Sequence, residues 1–238
     1  MLCRVYTVLL ASAVGLAVWC GGAYLEWWGW FWGFFLGLVA MFVTFFLVMR
    51  RMAGRLRPAM ERVKKQAESG MFRQAMDTMR DLVPMSRWVP MLAGQIKAQL
   101  GVLALQAGEK SRAIEYLEQS PKRIGEAKMY LAALLYRDKE TDRAITVLDT
   151  AAPYQRKSAL YHNLLAWMLQ KQKRTDDAIA RLARFAKKDD GQVTKDNLLR
   201  LQNGKKMTMK PFGMQWYMLG LERPPPSMMQ QMQGGPRG

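Results

Sequence analysis

The sequence predicts an all-α protein: an N-terminal transmembrane helical hairpin followed by an α-solenoid of three to four helix-turn-helix units. Three observations predict it. Two charge-free apolar runs open the chain, one ten-residue pattern recurs four times, and apolar residues between the recurrences return every three or four positions.

The hairpin comes first. The chain has 238 residues, is 50% hydrophobic and carries a formal net charge of +17. These properties separate along it: Arg4 is the sole basic residue before Arg50, and Glu26 the sole acid before Glu61. Val5–Leu25 and Trp27–Met49 are 21 and 23 residues long. At about 1.5 Å per residue, each covers a hydrocarbon core of about 30 Å. A cleaved signal fits poorly, because a second span follows directly and Trp19 stands where lipoprotein processing at Cys20 needs a small residue.

Orientation follows from charge. Arg50, Arg51, Arg55, Arg57, Arg62, Lys64 and Lys65 follow the second run, against the single acid Glu61. The positive-inside rule places them, and both termini, in the cytoplasm, so the expected location is the bacterial inner membrane with two passes. The seven are expected to lie at the anionic membrane surface. Trp27, Trp28, Trp30 and Trp32 suit an aromatic belt at the opposite interface. Gly29, Gly33 and Gly37 form a small-residue stripe for close helix packing, either against Ala11 and Gly15 of the first span or against a second copy as a homodimer. Cys3 and Cys20 lie too far apart along one helix to pair.

The recurring pattern is GMFRQAMDTM from Gly70, GEKSRAIEYL from Gly108, KETDRAITVL from Lys139 and KRTDDAIARL from Lys173. Each places Gly or Lys five residues before an alanine: Ala75, Ala113, Ala144 and Ala178. A small side chain is needed where two antiparallel helices cross, and the Leu or Met four residues on fills the same face one turn later. Pro84, Pro121 and Pro153 follow the first three patterns and stop each second helix. The ten residues are therefore read as the turn inside each helix pair and the start of its second helix.

With these markers the chain resembles the tetratricopeptide repeat family, over roughly residues 60–188. Leu100-Gly101, Gly108, Ala113 and Leu117 carry the resemblance best; Leu131/Leu165 and Ala132/Ala166 extend it. The stretch Glu61–Leu82 has charges where a first helix should be apolar. The layout of hairpin and repeats also resembles the N-terminal part of HemY-type bacterial inner-membrane proteins. The resemblance implies a groove lined by first helices that binds a protein partner, and the family's groove spacing selects Gln95, Gln106, Glu126, Met129, Tyr136, Arg137, Asn163, Trp167, Gln170 and Lys171. Met129 and Trp167 are equally readable as core between helix pairs. Ala98 and Val102 stand where chaperone-type members hold a terminal carboxylate, so that ligand is not implied.

The expected organisation is a hairpin at 1–49, a basic linker at 50–59, repeats at 60–188, a capping region at 189–222 and a disordered tail at 223–238. Thr194–Gln202 reads as a further helix, and Pro211–Leu221 as an apolar cover for the open end of the stack, or else a docking peptide. One histidine, His162, and two membrane cysteines build no metal or cofactor site, so no cofactor is expected. AGEKS at 107–111 lacks the order and preceding strand of a phosphate loop. No catalytic residue is assigned, and the chain is expected not to be an enzyme. The alternative to a groove is a working basic surface, Lys187, Lys188, Lys195, Lys205, Lys206 and Lys210, meeting anionic lipid, an acidic partner or RNA. Nucleic acid is the less favoured of these, because no aromatic residues interleave with the lysines.

Overall fold

The computed structural model describes residues 6–24, 30–89 and 91–226. Among the described residues every regular element is helical. The chain divides into two compact units, Met1–Glu109 and Lys110–Gly238.

The first unit opens with α1 (Tyr6–Tyr24) and α2 (Trp30–Glu68), packed as a hairpin. Gly15 and Gly37 meet at the crossing. A Cβ on Gly37 would stand 2.7 Å from the Gly15 carbonyl oxygen, and one on Gly15 2.8 Å from that of Gly37. Only glycine permits this approach. Gly33 lies against Trp19, and Ala11 is buried. Of the two partners expected for the glycine stripe, the chain's own α1 takes it. Gly33 and Gly37 are buried against α1 within the chain; Gly29 lies outside the described residues. The outward faces remain apolar, with Leu9, Leu16, Phe34, Phe42 and Phe46 all more than half exposed. Cys20 is exposed on this surface, whereas Cys3, Trp27 and Trp28 lie outside the described residues.

Helix α2 does not stop at Met49. Its 39 residues continue through the expected linker at 50–59, and through Pro58, to Glu68. At about 1.5 Å per residue this is roughly 58 Å, twice a hydrocarbon core. The linker is therefore a helical extension, which also accounts for the charges in Glu61–Leu82. The first helix of that degenerate pair is the end of α2 itself, burying only Ala59 and Val63. Against it packs α3 (Phe72–Arg80), which buries Ala75, Met76 and Met79, and α4 (Leu92–Gln106) packs on α3. A 3₁₀ turn, Val83–Arg87, with Pro84 in its first turn, links α3 to α4.

The second unit holds α5 (Lys110–Glu118), α6 (Gly125–Arg137), α7 (Thr141–Ala151), α8 (Ala159–Lys171), α9 (Thr175–Ala186), α10 (Gln192–Gln202) and a short α11 (Met214–Tyr217). Helix α6 pairs with α7, and α8 with α9. Pro153 opens the 3₁₀ turn that ends α7.

One turn recurs through both units. Gly70, Gly108, Lys139 and Lys173 all have positive φ, at 74, 79, 65 and 61°. These are the residues five before each repeat alanine. The N–H just past each reaches the carbonyl five residues back: Met71 to Gln66, Glu109 to Ala104, Glu140 to Leu135 and Arg174 to Leu169, at 2.8–2.9 Å. A left-handed residue with this bond is the Schellman stop, which satisfies carbonyls left over at a helix end. The alanines five residues on are Ala75, Ala113, Ala144 and Ala178, each 0% exposed. Leu117, Leu148 and Leu182 are equally buried. Gly204 repeats the turn a fifth time, with φ 66° and Lys205 bonded to Arg200, but a segment without regular secondary structure follows it instead of a helix.

Candidate functional site

The groove residues expected from the sequence fall on α4, α6 and α8. Gln95 and Gln106 are exposed on α4, in the first unit. In the second unit Glu126 and Arg137 of α6 and Lys171 of α8 are exposed, and Met129, Tyr136 and Gln170 are half-buried. Asn163 and Trp167 are buried. The structure does bring part of the set together. The Tyr136 and Trp167 rings lie 5.2 Å apart, and the Lys171 ammonium sits 5.0 Å over the Trp167 ring.

Three of these side chains are engaged by the chain itself. Trp216 of α11, fully buried, meets Trp167 edge-on with centroids 5.2 Å apart, and its indole N–H donates to Glu222 at 3.0 Å. The Gln170 amide donates to the Lys205 carbonyl and accepts from the Met207 N–H, both at 3.1 Å, as a neighbouring strand would. Asn163 donates to the Ala159 carbonyl and to Thr194 Oγ1, and accepts from Asn197 at 2.9 Å. Asn197 in turn exchanges two bonds with the Thr208 backbone, and Thr194 donates to Asp189. A buried network with every member satisfied fixes one arrangement, since any broken bond there leaves a costly orphan. Asn163, Trp167 and Gln170 are thus not free groove residues. Trp167 and Gln170 hold Lys205, Met207 and Trp216 beside α8, and Asn163 reaches the same stretch through Asn197 and Thr208. Of the two roles open to Trp167 the core role is the one observed, and Trp216 packs against it, fully buried.

Other polar residues whose partners the sequence did not show are also structural. Lys128 is 5% exposed on α6, and its ammonium donates to the Leu117 and Glu118 carbonyls at the end of α5, at 2.8 and 3.1 Å. Burial pulls its pKa below the ordinary lysine value, and nearby Glu118 opposes that shift. A cation on the last carbonyls of a helix is a favourable cap. Gln155 donates to the Arg123 carbonyl at 2.8 Å, and its side chain fills the space beside Gly125. His162 stacks on Phe185 at 4.0 Å, with Nε2 3.1 Å from the Gln155 carbonyl and a buried Nδ1 without a partner. Burial lowers its pKa, partly offset by the Gln155 bond and Asp189. A lone Lys or His between apolar helix positions was the available signal; its partners, 7 to 11 residues away across a turn, were not visible.

A cleft of about 180 Å³ opens between α7, α8 and α9, floored by Ile145, Leu165 and Leu169. Its rim is charged: Arg181 pairs with Asp149, Arg174 with Asp177 at 2.7 Å, and Arg184 stands beside them. Asp176 and Asp177 occupy the first turn of α9, where acids favour a helix start. Among the described residues no cluster of three or more His, Cys, Asp or Glu is placed to hold a metal ion.

The two basic sets differ in setting. Arg50, Arg51, Arg55, Arg57, Arg62, Lys64 and Lys65 are all exposed along α2. Spaced over 15 residues of continuous helix, they extend about 22 Å beyond the apolar half. Lys187, Lys188, Lys195, Lys205, Lys206 and Lys210 are exposed around α10 in the second unit, with Lys195 near Asp190 at 3.8 Å.

Set against protein-family models, curated proteins and solved structures, the chain matches none, so its likeness to helical-repeat proteins rests on its own spacing.

Proposed function

We propose that this protein is a non-catalytic, membrane-anchored helical-repeat scaffold that holds a protein partner at the cytoplasmic face of a bacterial inner membrane. The observation that carries the reading is the fourfold recurrence of one left-handed turn and one fully buried alanine beyond a hairpin with apolar outer faces. An exposed apolar surface of that extent is untenable in water and is what a bilayer covers. Helix α2 is long and apolar enough to cross; α1, apolar over Tyr6–Gly21, is the second crossing in this reading. The basic run after Met49 sets both termini inside.

Helix pairs of this kind, stacked as in the tetratricopeptide repeat family, offer a surface of first helices, and here Glu126, Arg137 and Lys171 remain exposed on it, beside half-buried Tyr136. The second reading, a working basic surface, is favoured by the six exposed lysines around α10. Photo-crosslinking the full chain in native membranes separates them. A crosslinking residue at Arg137 or Lys171 is expected to give a discrete protein adduct, and one at Lys205 or Lys206 none. Adducts from the lysine positions alone would contradict the groove and favour the basic surface.

A further inference from the structure

The connection between α3 and α4 begins with Asp81 and Leu82 and continues as VPMSRWVPM, from Val83 to Met91. That nine-residue stretch contains no acid and one cation, Arg87, which is exposed. Val83 is 47% exposed and Met91 61%, while Met85, Trp88 and Val89 are half-buried. This is an unusual amount of apolar surface for a connection between helices in water.

The hairpin fixes where that loop stands. Gly15 faces Gly37 and Trp19 faces Gly33, so each step back along α1 is a step forward along α2. Nine residues back from Gly15 is Tyr6; nine forward from Gly37 is Phe46. Tyr6 is therefore level with the last apolar turn of α2, about 6 Å before Arg50 at 1.5 Å per residue. At that level the loop touches the hairpin. The Tyr6 and Trp88 rings lie 5.5 Å apart, and the Thr7 hydroxyl, fully buried, donates to the Trp88 carbonyl.

We propose that Val83–Val89, with Met91, is a membrane-interfacial element, seated in the headgroup region of the same leaflet through which α2 leaves. Trp88 and Tyr6 supply amphipathic rings of the type that settles at this depth, Val83 and Met91 enter the acyl boundary, and Arg87 reaches back to lipid phosphates. The loop adds a third point of membrane contact to the two helices. That contact holds the α3–α4 region of the first unit against the bilayer, where α2 alone would carry it away from the surface. The inference rests on reading α1 and α2 as spans.

The test uses single cysteines in a Cys3→Ser, Cys20→Ser background of the full chain. Val83→Cys, Met91→Cys, Phe46→Cys and Lys187→Cys are each labelled with an environment-sensitive fluorophore and reconstituted in phosphatidylethanolamine–phosphatidylglycerol vesicles. The proposal predicts blue-shifted emission at positions 83 and 91, lost on adding lipids with a nitroxide just below the headgroup and insensitive to aqueous iodide. Position 46 should respond to lipid nitroxides, and position 187 to iodide alone. If 46 is quenched from the lipid while 83 and 91 respond to iodide alone, the loop proposal is overturned and the spans stand. If 46 also responds to iodide alone, the span reading fails and takes the loop with it. Circular dichroism of each variant shows whether the helices are retained.

Discussion

Lys139 and Lys173 occupy left-handed positions that Gly70 and Gly108 fill without strain. For an L-residue this conformation costs about 1–2 kcal/mol, part of which glycine's larger unfolded-state entropy cancels. Lys139→Gly and Lys173→Gly should therefore each stabilise the second unit by about 0.5–1 kcal/mol, seen as a raised melting midpoint. An unchanged or lowered midpoint would show that the lysines bear no strain. The sequence carried this signal openly, since two glycines and then two lysines stand at one register. The sequence did not reveal what His162 does, because its environment is assembled from Gln155 and Phe185 on neighbouring elements. Its pKa is lowered in the folded state, so the unfolded chain binds the proton more readily. Stability is then full above the unfolded value near 6.5 and declines as pH falls toward the folded pKa. Melting midpoints between pH 8 and pH 5 should show this decline, and in His162→Phe that part of it should vanish.

At the scale of elements, the alanines set the helix crossings. Ala144 has no exposed surface, whereas neighbouring Arg143 is more than half exposed and paired with Glu118 and Glu140. Ala144→Arg should overpack α7 against its neighbours and cost on the order of 1–3 kcal/mol or more. Arg143→Ala should cost about 1 kcal/mol or less, the usual worth of surface ion pairs. Equal melting midpoints for the two variants would mean that the helix-pair register is wrong. Helix existence and pairing were legible because the alanine, the leucine four residues on and the proline each have a packing reason. The length of α2 was not. A change from apolar to basic residues looks like a boundary in composition, yet Arg, Lys, Met and Glu are good helix formers and nothing between Met49 and Glu68 stops the helix except Pro58, which it passes. The segment 205–221 was half legible. Its apolar residues suggested a cap, but that Gln170 and Asn163 would turn inward to hold it depends on partners more than 30 residues away.

On the scale of the molecule, charge and hydropathy divide the chain between an apolar hairpin and the helix pairs. Screening falls off over about 8–10 Å at physiological salt, so of the seven basic residues on α2 only those in its first two turns past Met49 feel an anionic surface strongly if the helix stands upright. In the proposed orientation Arg50, Arg51 and Arg55 carry most of that attraction, while Arg57, Arg62, Lys64 and Lys65 stand farther out. The central claim is that a two-pass anchor presents the helix pairs to the cytoplasm. Paired reporters fused after Gly238, one active only in the cytoplasm and one only in the periplasm, measure it most directly. The account predicts strong cytoplasmic signal and a silent periplasmic reporter in the membrane fraction; strong periplasmic activity would contradict it.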